Sequence, residues 1–449
     1  MELSKKNGQT ESQTGKMKHP PGLYLLFATE AWERFSYYGM RALLVLYLTT
    51  QLVNGGLGYD KVQAMSIYGT YTSLVYLTPL LGGYLADRYL GQRLAITIGG
   101  ITMACGQFAL FAHQSREFLW IGLILLIIGN GFFKPNISTI VGQLYPEGDK
   151  RKDSAFTIFY MGINLGAFIA PYVCGTLGES ANFGFKYGFL AAGIGMLIGQ
   201  LMFNLLGNKY LGDHGKYPVG KKAKTDNTPQ EDLDRPLTKQ EKSRMTVILI
   251  LVFFVIFFWM GYEQAGSSLT LFTKESVDRT IFGWECPVSW FQSFNPVFIL
   301  LLAPVVAGIW TKLSNRPQGD LNIPTKMALG LLFLGFGFLV IAVPTLLAGN
   351  SKIGMIWVVM IYLIHTVGEL CLSPVGLSMV SKLAPKKFAS LLMGAWFLSS
   401  FVANKLAGFI AGFIETFGPL QLFAGLAILS IAVGLILLSL NKKLASMME

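Results

Sequence analysis

The sequence predicts an all-α membrane protein of twelve transmembrane helices in two six-helix halves, with both termini on the cytoplasmic side. Three observations predict it. Of the 449 residues, 52% are hydrophobic and only 14% charged, whereas soluble domains carry about 25% charged residues. Apolar runs of the length a bilayer requires, about 20 residues, recur roughly at 22–50, 62–86, 92–113, 117–145, 154–178, 186–210, 244–272, 287–313, 324–348, 352–382, 387–414 and 419–441. Between the sixth and seventh runs lies one polar stretch of mixed sign, holding Lys216, Lys221, Lys222, Lys224, Asp226, Glu231, Asp232, Asp234, Lys239 and Lys242. The implied organisation is a tail over 1–21, a bundle over 22–210, a linker over 211–243, a bundle over 244–441 and a tail over 442–449. Two such halves suggest a transporter with its site between them at the midplane.

Placement of charge sets the orientation. One set of run ends holds Lys5, Lys6, Lys16, Lys18, Arg88, Arg93, Lys150, Arg151, Lys152, the linker bases, Lys312, Arg316, Lys326, Lys382, Lys386, Lys387, Lys442 and Lys443. The other holds Lys61, Arg116, Lys186, Lys274, Arg279 and Lys352. Basic loops face the cytoplasm, so the termini and linker are expected there. The same bias accounts for the net charge of +11 without any nucleic-acid partner. The first run is too long for a signal peptide and has no small-residue cleavage site, so it is expected to remain as a helix. Of the four cysteines, Cys105, Cys174 and Cys371 fall in apolar runs and Cys286 in a loop. That pattern predicts free thiols and no metal site.

The first run carries Glu30-Ala31-Trp32-Glu33-Arg34-Phe35-Ser36-Tyr37-Tyr38-Gly39. Glu30, Glu33 and Arg34 stand at i, i+3 and i+4 and share one helix face, a stripe that Tyr37, Tyr38 and Arg41 continue. A charge at the bilayer centre costs about 2.5–3.5 kcal/mol on insertion scales. These groups are therefore expected to face a wet interior and to pair with one another. Acids that release an arginine on protonation suit a proton-coupled machine.

After the second run comes Gly82-Gly83-Tyr84-Leu85-Ala86-Asp87-Arg88-Tyr89-Leu90-Gly91-Gln92-Arg93. Asp87 can accept from a helix N-terminus, Arg88 or Arg93. The spacing G-x-L-A-D-R-x-x-G-x-R resembles the cytoplasmic loop signature of the major facilitator superfamily, whose fold it implies. There Asp87 and Arg88 would serve as a cytoplasmic latch, not as substrate contacts.

The fourth run places Lys134 beside Pro135 in Gly131-Phe132-Phe133-Lys134-Pro135-Asn136. Such an ammonium can partner Glu30 or Glu33, or bind a substrate carboxylate. The fifth reads Phe156 to Ala167 and includes Tyr160 and Asn164, a side chain able to bind an amine or a peptide group. Glu263 lies in the seventh run, Asn295 before Pro296 in the eighth, His365 and Glu369 in the tenth, and Trp396, Asn404 and Lys405 in the eleventh. His365 and Glu369 stand at i and i+4, a spacing that suits a proton relay or half a metal site; no further His or Cys cluster supports a metal, and a packed neutral His365 is expected. Acidic and basic poles on opposite sides of one cavity would suit a zwitterion.

Taken together, these motifs resemble the proton-coupled oligopeptide transporter family. Residues 30–39 match its E-x-x-E-R-F-x-Y-Y-G motif, and the Asp87 loop and Phe156–Ala167 resemble its two other signatures. The resemblance implies a proton-driven symporter of di- and tripeptides, not an enzyme, with no cofactor other than the coupling proton. It implies that Glu30, Glu33, Arg34, Lys134 and Glu263 couple protons. Arg34, Tyr38, Tyr76 and Lys134 would receive the peptide carboxylate, and Asn164, Asn295 and Glu369 the amino end. Tyr160 and Trp396 would wall side-chain pockets, and Arg41 would lock the outer gate. Two departures stand out. The linker is too short for the extra helices of many bacterial members, and Gly69 stands where animal members place a histidine. Nitrate or another small anion on the same fold is the alternative, though such relatives usually lack the full acidic motif. A hydrolase or receptor is disfavoured, because no Ser/His/Asp order, metal-ligand spacing or sensor domain is present. A bacterial inner membrane and a monomer working in the lipid bilayer are the expected setting, with a lysosomal or vacuolar membrane less favoured.

Overall fold

The structure, a computed structural model, describes residues 18–146, 148–149, 151–218, 236–317, 319–385 and 388–448. Most of the N-terminal tail, Lys150, the linker from 219 to 235, Lys386 and Lys387, on which part of the charge reading rests, lie outside the described residues.

Helices dominate. They are α1 Pro21–Thr49, α2 Lys61–Leu85, α3 Gln92–Ala112, α4 Arg116–Gln143, α5 Arg151–Glu179, α6 Phe185–Leu211, α7 Lys239–Ser276, α8 Val288–Ser314, α9 Ile323–Ala348, α10 Ile356–Leu383, α11 Ala389–Ala411 and α12 Phe413–Met448. Among the described residues ten helices, α3 to α12, are long and apolar enough to cross a membrane by length and composition. The helix α1 carries Glu30, Glu33, Arg34 and Arg41, and α2 is rich in Gly, Ser, Thr and Tyr, so both are less apolar at similar length. The outer surface shows why the helices exist: Leu205, Leu301, Leu347, Phe409 and Ile428 are among many large apolar side chains left exposed. Lipid covers such a belt, and in lipid the helix satisfies every backbone group within the segment. This is a multi-pass membrane protein.

Local chemistry fixes the ends. Asp60 caps α2 by accepting from Gln63 N at 2.8 Å, Ser115 caps α4, and Asn322 caps α9. A reciprocal pair between Thr238 and Glu241 starts α7, as a capping box does. The helix α7 thus begins five residues before the boundary expected at 244. At the other end α12 continues to Met448, where a tail was expected from 442. Arg244 Nε and Ser243 Oγ donate to the carbonyls of Met448 and Met447, which holds the two ends together.

Several helices are interrupted. A π-turn spans Ala86–Leu90 after α2 and another spans Pro171–Gly175 inside α5. A 3-10 turn, Glu263–Gly266, breaks α7. Short strands also form, none of them expected from the sequence. Val277–Asp278 (β1) pairs in parallel with Ile353–Gly354 (β4), and Thr280–Ile281 (β2) pairs antiparallel with Trp284–Glu285 (β3).

Buried apolar side chains gather into two large clusters. One draws mainly on α1 to α6, the other on α7 to α12. They meet along α2 with α11 and along α5 with α8. The α2–α11 contact is backbone to backbone: a β-carbon at Gly69 would lie 2.7 Å from the Gly408 Cα. Small residues permit such an approach in membranes, where association rests on close packing.

Candidate functional site

The face of α1 predicted to carry its charges does so. Arg34 Nε lies 3.0 Å from Glu30 Oε1 and also donates to Glu33. All three are buried, Glu33 completely. Asn130 of α4 approaches the other Glu33 oxygen at 3.5 Å. Glu33 is thus bonded from two helices, as a buried charge requires. Glu30 Oε2 and Arg34 Nη2 are buried with no protein partner. Buried polar atoms are otherwise almost always bonded, so this cluster keeps capacity for a proton, a water or an anion.

Lys134 takes a different position from the one expected. It forms no ion pair with Glu30 or Glu33 among the described residues. Its ammonium instead sits 4.5 Å from the Tyr76 ring centroid, a cation–π contact, within electrostatic reach of Glu33, Glu30 and Arg34. Pro135 on the same helix removes one backbone donor. Tyr37 and Tyr38 pack edge to face at 5.1 Å, with the Arg34 guanidinium over Tyr37 and that of Arg41 over Tyr38. Arg34, Lys134, Tyr38 and Tyr76 therefore form one basic, aromatic-lined group.

An acidic group stands on the opposite side. Glu369 Oε2 of α10 accepts from Tyr262 Oη of α7 at 2.6 Å and from Asn295 Nδ2 of α8 at 2.9 Å. Asn295 also reaches Thr366 Oγ1 at 3.1 Å. Tyr38 and Tyr160 lie within electrostatic reach of Glu369. Tyr160 is 44% exposed, and Asn164 donates to its carbonyl at 3.0 Å. Trp396 is buried against α10, where a β-carbon at Gly376 would lie 2.0 Å from its ring. His365 is engaged by α9. Its Nε2 lies 3.1 Å from the Leu334 carbonyl, and its ring packs on Phe338; it is a packed core histidine.

The contacts joining the two sides gather at one face. Arg41 of α1 bonds the Glu263 carboxylate of α7 and donates to Tyr68 Oη of α2 at 2.7 Å. Around it, Lys61 meets Glu275 at 2.9 Å and Glu415 at 3.7 Å, and Lys405 reaches Thr70 Oγ1 at 2.6 Å. Glu179 accepts from the backbone of Val288 and Ser289, both at 2.8 Å, and Ser293 donates to the Phe168 carbonyl. This face is sealed. At the other face Asp87 accepts from Gln92 at 2.8 Å, and Arg88 donates to Tyr84. Both are exposed and bond within their own side of the molecule. Arg93, a partner considered for Asp87, is instead tied to the Gly207 and Gly212 carbonyls.

Asn130, Tyr262, Tyr68 and Thr366 were not singled out in the sequence. Asn130 is the one with a readable signal, since it lies one turn from Lys134 on the same helix face. Tyr262 merely adjoins Glu263 in sequence, and nothing local links Tyr68 or Thr366 to its partner. Among the described residues, no group of His, Cys, Asp and Glu could hold a metal ion, and all four cysteines are free.

Comparison with known proteins gives a consistent result. A family model described as the POT family matches residues 93–218 and 235–419. The chain is 37% identical to "Uncharacterized transporter YclF" of Bacillus subtilis over 96% of this chain and 95% of that protein. It is 34% identical to "Di-/tripeptide transporter" of Lactococcus lactis subsp. cremoris over 96% of both. A solved structure, "Crystal structure of peptide transporter POT in complex with sulfate", superposes with a TM-score of 0.89 at 37% identity over 97% of each chain. With that coverage, the chain belongs to the POT family, the family of transporters its motifs resemble.

Proposed function

We propose that this protein is a proton-coupled symporter that imports di- and tripeptides by alternating access. The observation that carries the reading is a basic group, Arg34 and Lys134, facing an acidic one, Glu369 with Asn295, beneath a sealed face. A peptide with free ends is a zwitterion and complements both. Relatives named as di-/tripeptide transporters support the substrate class, as does "Peptide transporter YePEPT" of Yersinia enterocolitica at 35% identity. The family is one of transporters, and no enzymatic role is proposed.

In this reading the chain forms two six-helix halves, 22–210 and 244–441, that rock about the central site. All twelve helices cross the membrane, and both termini are cytoplasmic. The sealed face is then extracellular, and the structure is inward-facing. Arg41 and Glu263 act as the outer gate with Tyr68. Arg34 is held by Glu30 and Glu33, and protonation of either acid weakens that grip. The guanidinium, with Lys134 beside it, then receives the peptide carboxylate. Asn164, Asn295 and Glu369 take the amino end, with Tyr38, Tyr76 and Tyr160 lining the space and Trp396 behind it. Asp87 and Arg88 belong to a cytoplasmic latch that is unengaged here. A potential of 100 mV contributes ~2.3 kcal/mol per charge and one pH unit ~1.4 kcal/mol, so one proton can sustain a peptide gradient of a few hundred-fold. The proposed setting is the bacterial inner membrane. The transporter would act there as a monomer, with the proton as its only coupling ion.

The test is uptake by the purified protein in liposomes carrying an internal pH dye. Dialanine-dependent acidification that tripeptides compete with is expected. Acidification by nitrate with no response to dialanine would assign the site to small anions, and release of free alanine would indicate an enzyme.

A further inference from the structure

At the sealed face, the connection from α7 to α8 folds into a small hairpin in which β2 and β3 are joined by Phe282 and Gly283. Phe282 has φ 48° and Gly283 φ 83°, so both central residues are left-handed. Two-residue turns of this kind favour Asn-Gly or Asp-Gly. A β-carbon in this conformation crowds the carbonyl oxygen that follows it, and a bulky residue there is an outlier. Among the described residues Phe282 is the only non-glycine with positive φ. Its side chain is fully exposed, and Ile281 and Trp284 beside it are 41% and 49% exposed. Phe282 thus opposes its own turn and adds nothing to the core. Folding gives no reason for it, and residues that break a local rule without structural gain mark functional sites.

The surroundings of the tip indicate what covers it. Trp284 lies 5.3 Å from Trp290, Trp290 lies 4.8 Å from Tyr172, and Tyr172 lies 5.3 Å from Phe168. This aromatic row runs from the hairpin down the seam between α8 and α5. Next to it on α5, Ile169 and Val173 are 39% and 40% exposed on the apolar outer surface. The tip is therefore continuous with the surface that faces lipid. Its base is held firmly. Arg279 bonds the Cys286 carbonyl and lies 2.5 Å from Glu285, Thr280 N donates to Asp278 at 3.1 Å, and β1 is tied to β4. Aromatic side chains at this level of a membrane protein sit among the lipid headgroups.

We propose that Ile281, Phe282 and Trp284 form an interfacial anchor that inserts into the lipid headgroup layer at the sealed face, beside the α5–α8 seam. The anchor belongs to the α8 side of that seam. Across it, Trp290 donates to Thr176 at 3.0 Å, a contact that must part when the face opens. The anchor would hold one wall of the seam at a fixed depth while the other moves.

The experiment uses the full chain in phosphatidylcholine vesicles, with Cys105→Ser removing the one exposed cysteine. A cysteine replacing Phe282 carries an environment-sensitive fluorophore, and the same label replacing Asn350, exposed in the loop after α9, is the control. At 282 the expected result is blue-shifted emission, quenching by lipids with a headgroup-level nitroxide, and at least twofold less quenching by iodide than at 350. A second label replacing Ile281 should report the same depth, which guards against relaxation of the turn in one variant. Iodide quenching equal to that at 350, with no lipid quenching, would place the tip in water and overturn the proposal. Shielding from both quenchers would show protein covering the tip, such as a second copy, and would overturn it equally.

Discussion

Arg41 holds Glu263 and Tyr68 at once, although 222 residues separate Arg41 from Glu263 along the chain. All three side chains are largely buried, and the carboxylate sits in the turn that breaks α7. Removing one partner of a buried ion pair costs about 3–5 kcal/mol because the other charge is left uncompensated. Glu263→Gln is therefore expected to destabilise the sealed state by up to that amount and populate one in which this face opens. Spin labels replacing Gln63 and Thr416, read by pulsed electron resonance, should show a new longer distance. An unchanged distance distribution would remove Arg41–Glu263 from the gate.

Glu33 is the acid most deeply enclosed, with Arg34 and Asn130 on its two oxygens. Glutamine fills the same volume but cannot exchange a proton. Glu33→Gln is expected to abolish uphill uptake driven by a pH gradient while peptide-for-peptide exchange persists. Counterflow of labelled dialanine measures the second activity independently of the first. Equal loss of both would mean that Glu33 supports the binding site and not the coupling.

Much of the helical frame was legible in the sequence, because lipid leaves the backbone few alternatives and an apolar run of sufficient length is a strong signal. The charged face of α1 was legible for the same reason, since Glu30, Glu33 and Arg34 are costly anywhere but the interior. What was hidden depends on register between helices. Nothing in the spacing shows that Arg41 meets Tyr68, or that Lys134 rests on Tyr76 in place of a carboxylate. The turn at Glu263–Gly266 was equally hidden, because Gln264, Ser267 and Ser268 satisfy it through contacts such as Gln264 Nε2 to the Ala407 carbonyl at 3.2 Å. The hairpin escaped because Phe-Gly is a poor turn signal.

Among the described residues Lys134 has a ring and no carboxylate as its direct partner, so its charge is available to a ligand. A hydrogen bond to a charged group contributes about 1.5–3 kcal/mol. Lys134→Gln is expected to raise the KM for dialanine by ten- to hundredfold. The KM for a dipeptide amide, which lacks the terminal carboxylate, should change far less. Competition assays with the two compounds separate the cases, and a parallel loss for both would assign Lys134 to coupling alone.

Gly69 and Gly408 bring α2 and α11 together on the sealed side, at a separation no side chain fits. A methyl at Gly69 would lie 2.7 Å from the Gly408 Cα and 3.2 Å from the Asn404 carbonyl. Both neighbours are backbone, so neither can swing aside, and overpacking of this kind costs about 1–3 kcal/mol. The clash exists only while the two helices are in contact. Gly69→Ala is therefore expected to disfavour the sealed state selectively, without unfolding either cluster of helices. Labels replacing Gln63 and Thr416 should report the same opening as Glu263→Gln, and the double variant should add little. In contrast with Glu263→Gln, the alanine variant leaves every titratable group in place, so proton-driven uptake should retain its dependence on external pH at a lower rate. A lowered melting temperature with an unchanged label distance would show the glycine pair to be packing alone, with no part in which face is closed.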